Sequence, residues 1–165
     1  INEYDAFLSL NIPPIAILGV NVEFQKFTHF KPGTFKYFPE LNPNIAVFKV
    51  FPGVAFENYE FAKTPDAIIL DAYGAGNLLP SQNLIKYIKK HENIPVIIHS
   101  QAPIGKVNLN LYEAGTILKK LGAIGSANIS FEALIFKTMH LLSYTKTKYQ
   151  FIKAMSKDLI GEIDY

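Results

Sequence analysis

The chain has 165 residues, 49% hydrophobic and 18% charged, with a net charge of +2 and no cysteine. That length makes one domain, or one domain with an arm, and it suffices to bury a core without staples, so the composition excludes a disordered chain. The small, scattered positive charge argues against a nucleic-acid groove; the missing thiols exclude disulfides and a cysteine nucleophile; and no apolar run nears the roughly 20 residues of a membrane span.

No signal peptide is visible, and with the lack of cysteine this points to the cytoplasm. The chain opens at Ile1 in mid-pattern, as a piece of a longer polypeptide would. Residues 1–14 read as an entry arm. Pro13 and Pro14 cannot continue a helix, because each fixes φ and removes a donor. A short helical turn is expected at Ile15–Leu18. Val20-Asn-Val-Glu-Phe24 alternates apolar and polar, and Pro32-Gly33 is a turn signal. A small hairpin is therefore expected over 20–38, with an irregular loop as the equal alternative.

From Ile45 the pattern changes. Ile45-Ala-Val-Phe-Lys-Val-Phe51 predicts a buried strand stopped by Pro52-Gly53, and Phe56–Ala62 has helical spacing closed by Thr64-Pro65. Asp66–Asn77 is the stretch on which the rest is organised. Its unbroken apolar run, Ala67-Ile-Ile-Leu70, predicts a strand buried on both faces, as in a parallel sheet covered by helices. Gly74 and Gly76 then allow a tight turn, since glycine accepts φ values that other residues resist. This leaves Asn77 just past the carboxyl end of a strand, where open α/β sheets bind ligands.

Ser81 is the expected N-cap of a helix over Gln82–Glu92, with Leu84, Ile85 and Ile88 inward. Pro95-Val-Ile-Ile-His-Ser100 predicts another buried strand. A loop over Gln101–Asn108 leads to a helix at Leu111–Leu121, then to the short apolar Ala123-Ile124. Ser130 caps a helix over Phe131–Ser143 with Glu132 in its first turn, and a last helix spans about Thr147–Lys157. Strands alternating with helices predict βαβ units: an α/β, Rossmann-like three-layer domain with a mainly parallel four-stranded sheet.

The chemistry is less legible. Gly74-Ala-Gly76 lacks the third small residue of a dinucleotide fingerprint, because position 79 is Leu, and the next strand ends in His-Ser with no acidic residue. His99 and Ser100 are neighbours on a strand and point to opposite faces, so they are read as strand-end groups satisfying local backbone. The histidines show no metal-ligand spacing, so no metal is expected. Tyr112, on spacing alone, reads as packing with a wet hydroxyl.

A resemblance goes further. Tyr73-Gly-Ala-Gly-Asn77, Ile94-Pro-Val-Ile-Ile-His-Ser-Gln101 and Gly105-Lys-Val-Asn108 with Tyr112 resemble the C-terminal domain of a type I (cytosolic-type) L-asparaginase. The likeness extends to Tyr4-Asp-Ala-Phe7, Asn11-x-Pro-Pro14, Val50-Phe-Pro-Gly53, Leu121-Gly-Ala-Ile-Gly-Ser126, Ser130-x-Glu-Ala133 and Ile152-Lys-Ala-Met155. It implies an interdomain arm and hairpin over 1–44 and a C-terminal α/β domain over 45–165. It also implies hydrolysis of L-asparagine to L-aspartate and ammonia without cofactor, by a threonine of an N-terminal domain that precedes this chain. The site of that family forms between subunits of a homodimer or homotetramer. Tyr112 matches the catalytic tyrosine contributed by the partner subunit, and Asn77 stands where a substrate-binding residue is expected. The arginine and cysteine of the family's allosteric asparagine site correspond to Asp71 and Ala102, and both depart from the pattern. Two other classes stay open: a non-catalytic subunit or domain of a tRNA-dependent amidotransferase on the same fold, and a flavodoxin-like receptor domain.

Overall fold

The computed structural model of the chain describes residues 8–25, 33–56, 60–74, 76, 78, 80–110 and 113–163. Two short strands, β1 (Ala16–Leu18) and β2 (Val22–Phe24), pair antiparallel. The main sheet follows, with β3 (Ile45–Lys49), β4 (Ala67–Ala72), β5 (Val96–Ser100) and β6 (Ala123–Gly125). Helices α1 (Gln82–Lys90), α2 (Glu113–Lys120), α3 (Phe131–Tyr144) and α4 (Lys148–Met155) complete the order. The sheet has four strands in the order β3-β4-β5-β6, all parallel.

Alternation along β4 and β5 builds the two sides of the core. Ile68 and Leu70 of β4, with Val96 and Ile98 of β5, pack beneath Leu84, Tyr87 and Ile88 of α1 and Leu118 of α2. Ala67, Ile69 and Ile97 face the other way, against Leu134 and Leu141 of α3 and Phe151 and Met155 of α4. Successive side chains of a strand point to opposite faces, so covering both faces requires the unbroken apolar runs seen in the sequence. Ile68 is 0% exposed and Val96 1%. The expected caps form: Ser81 Oγ accepts from the Leu84 N–H at 3.2 Å, and Ser130 Oγ from the Ala133 N–H at 3.3 Å.

Four expectations change. Ile15–Leu18 is not helical: Ala16–Leu18 is strand β1, pairing with β2 across the turn at Gly19–Asn21. The hairpin therefore lies at 16–24 and not over 20–38, and residues 33–44 run without regular structure. A strand pair closed by the three-residue turn Gly19–Asn21 suits alternating residues better than an isolated helical turn, which forms a single hydrogen bond for the dihedrals it fixes. β3 is only half-buried, with Val47 40% exposed, because it is the sheet's edge and has one neighbouring strand. Finally, the described residues 60–62 of the expected 56–62 helix are not helical. Phe56 and Phe61 both stack near Tyr87, with ring centroids 5.6 and 6.5 Å from it. These ring contacts hold Phe61 by its side chain, so residues 60–62 need no helical backbone.

Candidate functional site

The carboxyl ends of β3, β4 and β5 open into a cavity of about 760 Å³, closed on one side by the arm residues Leu8–Ile12 and on another by Ile160–Glu162. Asn11 fastens the arm there. Its amide accepts from the Gly105 N–H at 3.0 Å and donates to the Pro103 carbonyl at 3.3 Å. The Asn128 amide donates to the Asn11 carbonyl at 3.3 Å.

Strand register places Lys49, Asp71 and His99 side by side across three strands at the cavity wall. Burial pushes the Asp71 carboxyl above the ordinary carboxylate range, against the pull of His99 and Lys49. Its Oδ1 is buried without a hydrogen-bond partner among the described residues. Burial also pushes His99 below its ordinary value, against the pull of Asp71 and Glu132. His99 Nδ1 stands 3.0 Å from Ser126 Oγ, a partner 27 residues away. Ser126 is 3% exposed, which makes the pair an anchor for the ring and not a nucleophile open to substrate. Among the described residues no group of three or more His, Cys, Asp or Glu is arranged to hold a metal ion.

Ser100 behaves as its strand-end position implied. Its hydroxyl donates to the Gly74 carbonyl and accepts from the Ala102 N–H. Gln101, which sequence reasoning had treated only as part of a motif, ties the strand ends together. Its backbone N–H donates to the Ala72 carbonyl at 2.6 Å, and its side-chain amide donates to the carbonyls of Val50 at 2.8 Å and Asp71 at 2.6 Å. A polar residue directly after an apolar strand was the available signal; its partners, 51 and 30 residues away, were not in it. Gln101→Glu removes both donors and turns a carboxylate toward two carbonyls. Losing such bonds costs about 1–3 kcal/mol per buried group, so with two carbonyls we expect stability to fall by roughly 2–6 kcal/mol. The urea midpoint reads this, and an unchanged midpoint would show that the bridge contributes nothing.

The two candidate site residues, Asn77 and Tyr112, lie outside the described residues. Their flanks do not. Gly74 and Gly76 have φ of 58° and 87°, the left-handed conformations expected of this turn. On the way to α2, the Asn110 N–H donates to Asn108 Oδ1 at 2.9 Å and Lys119 Nζ donates to Asn110 Oδ1 at 2.8 Å. Asp71 and Ala102 both line the cavity.

Comparison with known proteins agrees with this geometry. Residues 44–155 match the family described as the glutaminase/asparaginase C-terminal domain. The L-asparaginase of Thermococcus kodakarensis is 31% identical over 163 residues, covering 96% of this chain and 50% of the relative. L-asparaginase 1 of Escherichia coli is 31% identical over 167 residues, covering 97% and 49%. A glutamyl-tRNA(Gln) amidotransferase subunit of Pyrococcus furiosus is 33% identical over 167 residues, covering 96% and 38%. The solved structure of the thermostable T. kodakarensis L-asparaginase superposes with a TM-score of 0.85 at 29% identity, over 96% of this chain and 49% of that one. The chain thus spans about half the length of the asparaginases it matches.

Proposed function

The chain belongs to the glutaminase/asparaginase C-terminal domain family, and from that premise we propose that it is the C-terminal half of an L-asparaginase, with residues 1–44 as interdomain arm and hairpin and 45–165 as the domain. The single observation that carries this reading is the end-to-end likeness to L-asparaginases, 96% of this chain against 50% of the relative. The reaction is hydrolysis of L-asparagine to L-aspartate and ammonia in the cytoplasm, within a homodimer or homotetramer. The N-terminal domain of the same polypeptide supplies the nucleophilic threonine.

In this reading the present half completes the site of a partner subunit. Asn77, next in sequence to Gly76, binds substrate, and Tyr112, next in sequence to Glu113, contributes its phenol. A threonine hydroxyl attacking a side-chain amide is a weak nucleophile without an activating neighbour. A phenol loses its proton only near about pH 10, so it can relay or position a proton while staying uncharged at neutral pH. The carboxylate of Asp71 and the methyl of Ala102 give the cavity no groups of the allosteric pattern, and we propose that asparagine does not act there as an effector.

The test is Tyr112→Phe in the full-length polypeptide, which keeps the ring and removes one hydroxyl. Turnover is expected to fall roughly tenfold to ten-thousandfold with folding nearly unchanged. Wild-type turnover would assign the residue to packing. A second reading, as part of a tRNA-dependent amidotransferase, is favoured by the likeness to the P. furiosus amidotransferase chain. An additional N-terminal module in the upstream sequence, beyond the asparaginase half, would decide for it.

A further inference from the structure

Three glycines from three separate elements crowd one short segment. A Cβ on Gly76, in the turn after β4, would stand 2.7 Å from Val107 Cγ1. On Gly125, at the end of β6, it would stand 2.9 Å from the Val107 carbonyl oxygen and 3.2 Å from Cγ1. On Gly115, in α2, it would stand 2.5 Å from the Leu109 carbonyl oxygen. The shortest distance at each glycine, 2.7, 2.9 and 2.5 Å, is too short for a real side chain, so each element presses bare backbone against Val107–Leu109. Val107 and Leu109 are buried, at 6% and 7% exposure, although Lys106, Asn108 and Asn110 around them are exposed.

The segment is also tied by hydrogen bonding. The Val107 N–H donates to the Ala127 carbonyl at 2.9 Å. Ala127 has φ of 55°, alone among the described non-glycine residues in being left-handed. An alanine adopts that conformation at a cost, and persists in it only where its surroundings over-determine the backbone. The strained residue is the one whose carbonyl receives Val107.

We infer that Val107 is a positioning residue, whose side chain, wedged between Gly76 and Gly125, couples the turn after β4 to the loop before α2. These segments lead in sequence into residues 77 and 112, so the inference rests on the site reading given under the proposed function. Turn and loop move as one body, held by the branched side chain at position 107. A loop free of this contact would present them independently, and a misplacement of about 1 Å can cost on the order of a hundredfold in rate.

The experiment has two arms. In the first, amide hydrogen exchange is followed on this chain for the wild type, Val107→Ala, and Val107→Thr, which keeps the branched shape. Val107→Ala should speed exchange in residues 72–76 and 107–110 together while α3 and α4 keep their protection, and Val107→Thr should restore both. Faster exchange confined to 107–110 overturns the coupling. Gly76→Ala gives an independent check: its new Cβ should disturb 107–110 as well as its own turn, and adding Val107→Ala should relieve the loop. No effect on the loop also overturns it. In the second arm, the full-length polypeptide carrying Val107→Ala should lose roughly tenfold to a hundredfold in kcat with KM little changed, and Val107→Thr should recover it. If both segments loosen but kcat stays at the wild-type value, the coupling stands and the positioning role falls, while the assignment of residue 112 is read separately by Tyr112→Phe.

Discussion

Given L-asparagine, this chain alone is expected to release no ammonia. A nucleophile needs a base within hydrogen-bond reach and donors for the developing oxyanion, and losing one such donor by itself costs about 10²–10³ in rate. None of the threonines is followed by Asp, and none follows a Gly-Gly pair. Several are occupied or enclosed. Thr145 Oγ1 donates to the Leu141 carbonyl at 2.8 Å, and Thr147 Oγ1 accepts from the Gln150 N–H at 3.2 Å to cap α4. Thr138 is 0% exposed inside α3. The resemblance places the reacting threonine in the N-terminal domain, so the expected deficit is the whole acceleration, on the order of 10⁶-fold or more. The measurement is ammonia release by the chain alone, then with the separately expressed N-terminal half added. Turnover by the chain alone sinks the two-domain reading. Activity that appears on mixing supports it.

A large stability effect is expected at Lys137. Its Nζ lies 2.6 Å from Glu162 Oε1 and donates at 2.5 Å to the Lys157 carbonyl, with the two side chains 4% and 7% exposed. The pair pins residues 157–162, of which 160–162 line the strand-end cavity, to α3. Burial alone would raise the Glu162 carboxyl, but hydrogen bonds from Lys137 and from the backbone N–H groups of Ile160, Glu162 and Leu159 outweigh it and hold it at about 2. Lys137→Met strands that carboxylate in the interior, and breaking a buried pair in this way costs about 3–5 kcal/mol. For a chain of this size the melting temperature should drop by on the order of 10 °C.

The pH dependence has a definite sign. The folded value lies below the ordinary glutamate value of 4.5, so the pair's contribution is whole above pH 4.5 and is lost as pH falls toward about 2. The gap between wild type and Lys137→Met should therefore shrink on acidification through that window. A constant gap would show that the lysine acts through packing alone. Adding Glu162→Gln to Lys137→Met should recover part of the loss at neutral pH, because no charge is then left unpaired.

What the sequence by itself determined is local. The unbroken runs Ala67–Leu70 and Val96–Ile98 required cover on both faces, and α1–α4 supply it. Ser81 and Ser130 announced their helices, and Gly74 and Gly76 announced a left-handed turn. These signals reside in a residue and a few neighbours, so they survive without knowledge of the fold. Residues 77 and 112 were reached by resemblance, since their spacing alone named no reaction. The tertiary structure decided the rest. It made Ile45–Lys49 an edge, put Ser126 on His99, sent Gln101 across two strand ends and pressed Gly76, Gly115 and Gly125 against one loop. Each of these depends on which strands are neighbours and in what register, and contacts between residues distant in the chain exist only once the sheet has assembled.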